Sequence, residues 1–247
     1  MHQHHPKNWL LLRGLARGVG HWGTFAEAIK KRFPEDRFEF IDLPGNGARH
    51  EEVSPTSIGD YVKDLRSRCE YVKNNQKFNV LAVSLGAMIT VEWMREFPHE
   101  INKAYLVCTS SSGFSPFYQR FQPVNLIKSL RLLTSNQALI WENTILNMIV
   151  NSADRREAEM LGMVAYSEQY PVKMQNILRQ LTAASQFRFP KEAPGDVRLI
   201  GSHGDRLVSP HCTLKIAHAW ELKPQMHPWA GHDIPVDDPQ WLLEQLL

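Results

Sequence analysis

The stretch Phe78-Asn79-Val80-Leu81-Ala82-Val83-Ser84-Leu85-Gly86-Ala87-Met88-Ile89-Thr90-Val91-Glu92-Trp93-Met94-Arg95-Glu96-Phe97 decides how this chain is read. Its opening apolar run has the length of a buried strand, and the segment from Ala87 onward has the pattern of a helix. Ser84 stands at the junction, with small residues, Ala82 and Gly86, two places to either side. That is the sequence form of a strand–turn–helix elbow, which holds a serine in strained backbone and projects its hydroxyl from the turn. Bulky side chains at those flanking places would collide across the turn. Gly86 meets the requirement, and Ala82 departs from the usual glycine by one methyl group. The same serine also reads as an ordinary helix N-cap. The motif alone does not choose, so the rest of the chain has to.

Outward from the elbow, strand and helix alternate. Asn8 to Arg13 reads as a buried strand ending at Gly14, and Trp22 to Phe33 as a helix. Arg37 to Leu43 reads as the next strand, stopped by Pro44-Gly45-Asn46-Gly47, and Ser57 to Asn74 as one helix. After the elbow helix, which Pro98 helps to end, Ala104 to Cys108 reads as a strand leading into the polar loop 109–113. From Phe114 to about Pro194 only helical patterns follow, broken at Pro123, Asn151-Ser152 and Pro171. The alternation then resumes with a strand at Asp196 to Ile200, a weaker one at Trp220 to Lys223, and a final helix from Pro239 to Leu247. The rhythm predicts an α/β fold, a parallel sheet with helices on both faces. Residues 1–113 and 195–247 form its core, and 114–194 a helical cap insertion.

Composition narrows the classes. The chain has 247 residues, 43% hydrophobic and 22% charged, enough for a sizeable core. A net charge of +2 without a basic run gives no indication of nucleic-acid binding. No apolar stretch approaches the roughly 20 residues of a membrane span, and the amino terminus lacks the apolar segment of a secretory signal. Cys69, Cys108 and Cys212 are scattered and odd in number, which argues against a disulfide framework and fits a reducing cytoplasm. His2, His4 and His5 read as a frayed terminus rather than a metal site.

A serine nucleophile needs a base and a carboxylate to orient it. Asp205, in Gly201-Ser202-His203-Gly204-Asp205, and His232, in Ala230-Gly231-His232-Asp233, both follow carboxy-terminal strands, where ligands of open α/β sheets gather. His218 and His227 lack a Gly-His turn after a strand, and His203 reads as a loop residue. Asp233 adjoins the histidine and is poorly placed to reach the far ring nitrogen. Asp237 and Asp238 precede Pro239 and read as caps of the last helix, and Asp42 as a turn residue.

At this point the chain resembles the α/β-hydrolase superfamily over nearly its whole length. Leu11-Leu12-Arg13-Gly14-Leu15, Asp42-Leu43-Pro44-Gly45-Asn46-Gly47, Val83-Ser84-Leu85-Gly86, Gly201 to Val208 and Gly231-His232 carry the likeness. It is similar in particular to small cap-bearing carboxylesterases, such as the esterase acting on pimeloyl-carrier-protein methyl esters, and to related thioesterases. The resemblance implies Ser84 as nucleophile, His232 as base, Asp205 as orienting acid, and the backbone N–H groups of Leu15 and Leu85 as oxyanion hole. It implies hydrolysis of a small-molecule ester or acyl substrate without metal or organic cofactor. Acyl-thioester hydrolysis, lyase chemistry or ligand binding without catalysis are the alternatives. Serine at the elbow argues against the relatives that use an aspartate nucleophile.

Two features depart from the family pattern. Arg13 stands where histidine is usual, which makes it a candidate for bracing the oxyanion loop or binding an anionic substrate group. The usual first hairpin is missing, so about six parallel strands are expected. Phe114, Phe117, Tyr118 and Phe121 suggest an acyl pocket or plain cap core. From Phe114 to Gly195 nine Lys or Arg stand against six Asp or Glu. Such a surface suits an acidic acyl-carrier protein, but a solvated helical face explains three excess charges equally well and is preferred.

Overall fold

The computed structural model describes residues 6–133 and 137–247. His2, His4 and His5 lie outside the described residues. Six strands form one parallel sheet in the order β2-β1-β3-β4-β5-β6: β1 Asn8–Leu12, β2 Arg37–Phe40, β3 Phe78–Val83, β4 Ile101–Val107, β5 Val197–Ser202 and β6 Gln225–His227. The order reverses between β1 and β3. Loops leaving these neighbouring strands therefore diverge and open a crevice at their carboxyl ends. Arg13-Gly14-Leu15 leaves β1 there, and Ser84 leaves β3.

Both sheet faces are buried, so the strands read as apolar runs rather than as alternation. Leu10, Leu12, Val80, Ala82, Ala104 and Leu106 point to one face. They pack on α2 (Ile58–Arg68), α4 (Leu85–Glu96) and α10 (Pro210–Ala219). Trp9, Leu11, Leu81, Val83, Tyr105 and Val107 point to the other, against α1 (Phe25–Arg32) and α12 (Pro239–Glu244). The period-two geometry of a strand sorts the residues in this way.

Between β4 and β5 lie a short helix α5 (Phe117–Arg120) and a helical insertion of α6 (Val124–Leu133), α7 (Ala138–Ile149), α8 (Ala153–Gln169) and α9 (Met174–Gln186). Pro123 precedes α6, Asn151-Ser152 separates α7 from α8, and Pro171 separates α8 from α9, each where the sequence breaks its helical pattern. The remaining short helix, α11 (Ile234–Asp237), follows His232.

Two expectations fail locally. The helix expected over Ser57 to Asn74 divides at Cys69, whose extended backbone separates α2 from α3 (Glu70–Lys73). The Glu39 carboxylate reaches across from β2 to accept the Glu70 N–H, so α3 gains a cap from a strand 31 residues away. The expected strand at Trp220–Lys223 is a turn. Glu221 there has φ 54°, and the sheet's last strand is the three-residue β6 just beyond it.

Candidate active site

Ser84 has φ 55° and ψ −111°, a combination that costs an L-residue about 1–3 kcal/mol. The surrounding structure fixes it there. Its N–H donates to the Val107 carbonyl at 2.9 Å, and its carbonyl accepts the Thr109 hydroxyl at 3.0 Å. Its side chain makes no capping bond to α4, so the ordinary N-cap reading does not describe it. Close packing explains the glycines on either side of the crevice. A Cβ on Gly86 would stand 2.7 Å from the Arg13 carbonyl oxygen, and one on Gly14 would stand 3.1 Å from the Ser84 Cβ. Gly86 thus accommodates the end of β1 rather than a neighbour across its own turn. The Leu85 N–H opens α4, where a helix leaves amides without intrahelical acceptors.

His232 and Asp205 meet although they are 27 residues apart: His232 Nδ1 lies 2.8 Å from Asp205 Oδ2, and both side chains are buried. The other carboxylate oxygen accepts the Leu207 and Val208 N–H groups, each at 2.9 Å, so the acid is held at both ends. With Nδ1 donating to a carboxylate, Nε2 carries the free lone pair that a base needs. Ser84 and His232 line one cavity of about 340 Å³, walled mainly by apolar residues of the insertion such as Leu126, Ile145, Met148 and Ile177.

The Cys108 sulfur lies within 4.8 Å of the Asp205 and His232 ligand atoms, a grouping that could in principle hold a metal ion. Burial, reinforced by the Asp205 charge, pushes this thiol well above its ordinary range.

Arg13 spans the crevice. Its Nη1 and Nη2 donate to the two Asp233 carboxylate oxygens at 2.9 and 2.5 Å, and its guanidinium lies 4.9 Å from the Trp22 ring centre. Burial opposes the Asp233 charge, but the Arg13 guanidinium outweighs it and holds the carboxyl below its usual range. The pair ties the residue before Gly14-Leu15 to the residue after His232. The Asp233 carboxylate neutralises the Arg13 charge, and the pair braces the two loops against each other.

The insertion is fastened to the same loops. Asp237 accepts N–H groups from Asn151, Ser152 and Gly231, while the Asn151 side chain donates to the Gly204 and Trp229 carbonyls. Asp237 is thus a clamp between the α7–α8 junction and the His232 loop, not a cap of α12. Asp238 provides that cap, through the Trp241 N–H.

Comparison with known proteins bears on the architecture. No family model matches the chain. Mouse and human monoacylglycerol lipase ABHD6 are 24% identical to it over 123 residues, 48% of this chain and about a third (36%) of each relative. Among solved structures, the enol-lactonase from Burkholderia xenovorans LB400 superposes with a TM-score of 0.77 at 14% identity, covering 100% of this chain and 92% of its own. The 2-hydroxy-6-oxo-6-phenylhexa-2,4-dienoate hydrolase from Rhodococcus sp. strain RHA1 gives 0.76 at 17% identity, covering 98% and 89%. A thermophilic esterase from Thermogutta terrifontis gives 0.69 at 15% identity, covering 97% and 88%. The fold is that of the α/β-hydrolases.

On this α/β-hydrolase framework the structure brings Ser84, Asp205, His232, Leu15 and Arg13 to one crevice, while the other histidines weighed as the base lie outside it. His203 and His218 are exposed. His227 is buried, accepting the Ala230 N–H on Nδ1 and facing Asp238 with Nε2. Of the aromatic group, Phe121 lines the large cavity, Phe117 lines a smaller one that also contains Ser84 although it is 63% exposed, Phe114 packs against the main core, and Tyr118 is 60% exposed. Asp42 holds turns, as its sequence context suggests, by accepting the Val19 and Ala48 N–H groups.

Sequence reasoning missed a buried cluster joining the β1 loop to the insertion. Arg17 donates to Glu142 at 2.7 Å, and Ser167 donates to the other Glu142 oxygen. His21 accepts the Gly18 N–H on Nδ1. Burial disfavours the Glu142 charge, yet Arg17 outweighs it and holds the carboxyl at about 2. Burial, aided by the Arg17 charge, drives His21 down to about 4, so at neutral pH His21 is an uncharged hydrogen-bonding group. The two halves of the cluster, Arg17 and His21 on one side and Glu142 and Ser167 on the other, lie more than 100 positions apart, and no local pattern marks their pairing.

Proposed function

We propose that the protein is a serine hydrolase of carboxylic esters working through an acyl-enzyme. One observation carries this reading: the buried His232–Asp205 pair opens into the same cavity as a serine held in elbow geometry. In this reaction His232 takes the Ser84 proton as the oxygen attacks the ester carbonyl. The Leu15 and Leu85 amides stabilise the oxyanion, and His232 then protonates the leaving alcohol. Water, activated by the same histidine, releases the acid. The apolar cavity suits the hydrocarbon part of an ester. The partial similarity to a monoacylglycerol lipase and the fold shared with an esterase agree with that substrate class. The finer likeness to methyl ester esterases makes short alcohols the first leaving groups to examine.

The test is turnover of a chain-length series of p-nitrophenyl esters by wild type and Ser84→Ala, with matched oxyester and thioester pairs alongside. The proposal expects oxyester turnover that falls by at least about 10⁴-fold in the variant. Wild-type turnover confined to thioesters would replace the ester reading. Equal turnover by the variant would remove Ser84 from the mechanism.

A further inference from the structure

A second cavity, of about 120 Å³, meets the first at Ser84 and Leu15 and runs beneath α5 and α9. Its lining includes Arg120 and Ser110. Arg120 donates Nε to the Ser110 hydroxyl at 3.3 Å, Nη2 to the Ala184 carbonyl at 2.6 Å and Nη1 to the Ser185 carbonyl at 3.4 Å. Every one of these acceptors is neutral. Among the described residues no carboxylate pairs with Arg120, and burial lowers its affinity for the proton. The contrast with Arg13 and Arg17, each joined to a buried carboxylate, is direct. A half-buried cation without a counter-charge is costly unless something supplies one. Ser110 accepts from Arg120, and its own proton is available to a further acceptor.

We propose that Arg120, with Ser110, binds a carboxylate carried by the substrate, so that the enzyme prefers esters with an apolar arm and an anionic arm. The subsite presupposes the ester chemistry proposed above. Arg120 is a binding residue in it and takes no part in bond making.

Two isosteric pairs test the subsite. Methyl hydrogen glutarate and the methyl ester of glutaric monoamide place the charge on the acyl side; butyryloxyacetate and butyryloxyacetamide place it on the alcohol side. Wild type is expected to favour the carboxylate of one pair by about tenfold or more in kcat/KM, as for one charge-assisted contact. The pair that shows the preference identifies the side. In Arg120→Met the ratio falls to about one, while Arg120→Lys retains part of it. Arg120→Gln, which keeps a donor for the Ala184 carbonyl, gives the same answer if Arg120→Met does not fold. Calorimetric binding of methyl hydrogen glutarate and its amide to Ser84→Ala protein reads the subsite without turnover, so failure of the hydrolase reading shows separately. Carboxylate and amide handled alike by wild type in both pairs and in binding, or a preference that survives Arg120→Met and Arg120→Gln, would overturn the proposal.

Discussion

Breaking the Arg13–Asp233 pair should be far more damaging than removing it whole. The side chains are 4% and 1% exposed and joined by two hydrogen bonds, so deleting either one strands the other's charge in the interior. That situation costs about 3–5 kcal/mol, whereas replacing both charges by apolar groups of similar volume is close to neutral. For a domain of this size each kcal/mol lowers Tm by about 2–4 °C, which places Arg13→Met and Asp233→Leu each about 6–20 °C below wild type. The double variant is expected within about 1 kcal/mol of wild type, a coupling that urea unfolding of all four proteins would measure. Its activity should not recover with its stability. The pair joins the loop bearing Leu15 to the loop bearing His232, and loosening that junction is expected to lower kcat by about 10–100-fold. Single variants costing less than about 1 kcal/mol, or effects that simply add in the double variant, would refute the reasoning.

Other expectations follow from single positions. Ser84→Gly should abolish ester turnover yet raise stability by up to about 2 kcal/mol, because relief of about 1–3 kcal/mol of backbone strain exceeds the entropic cost of glycine; urea midpoints would show it. Gly86→Ala should destabilise by about 1–3 kcal/mol, since its Cβ would meet the Leu12 and Arg13 carbonyl oxygens at 2.8 and 2.7 Å. Calorimetric Tm checks this. His21, with a folded-state value of about 4, binds its proton more weakly than the unfolded chain does. Stability should therefore fall as pH drops from about 6.5 to about 4, by about 3 kcal/mol. His21→Gln should flatten that slope in urea titrations at about pH 7 and about pH 4.5, and an unchanged slope would refute the assignment.

What was legible in the sequence was what local pattern encodes. β3, the Ser84 turn and α4 are contiguous, so burial and helix pattern show in one window, and α7 and α8 end near the breaks at Asn151 and Pro171, whereas the end of α6 at Leu133 has no such mark. β6 escaped because three residues give no periodicity, and the break at Cys69 escaped because its cap comes from Glu39 on another element. At the site, Asp205 and His232 are candidates from their loop motifs, although the strand expected before His232 is misplaced, and the folded chain brings the two side chains together. The partner of Arg13, 220 residues away, could not be placed, nor could the pairing of Arg17 with Glu142. Arg120 is identified by what it lacks, a carboxylate, and only the folded chain shows that.

The central claim is that Ser84 becomes the acyl carrier. Mass spectrometry of the intact protein and of its Ser84 peptide, after reaction with a fluorophosphonate, tests this most directly. One covalent adduct per chain is expected on Ser84, absent from Ser84→Ala and strongly slowed in His232→Ala. A folded wild-type protein that takes no label, or takes it on another residue, would contradict it.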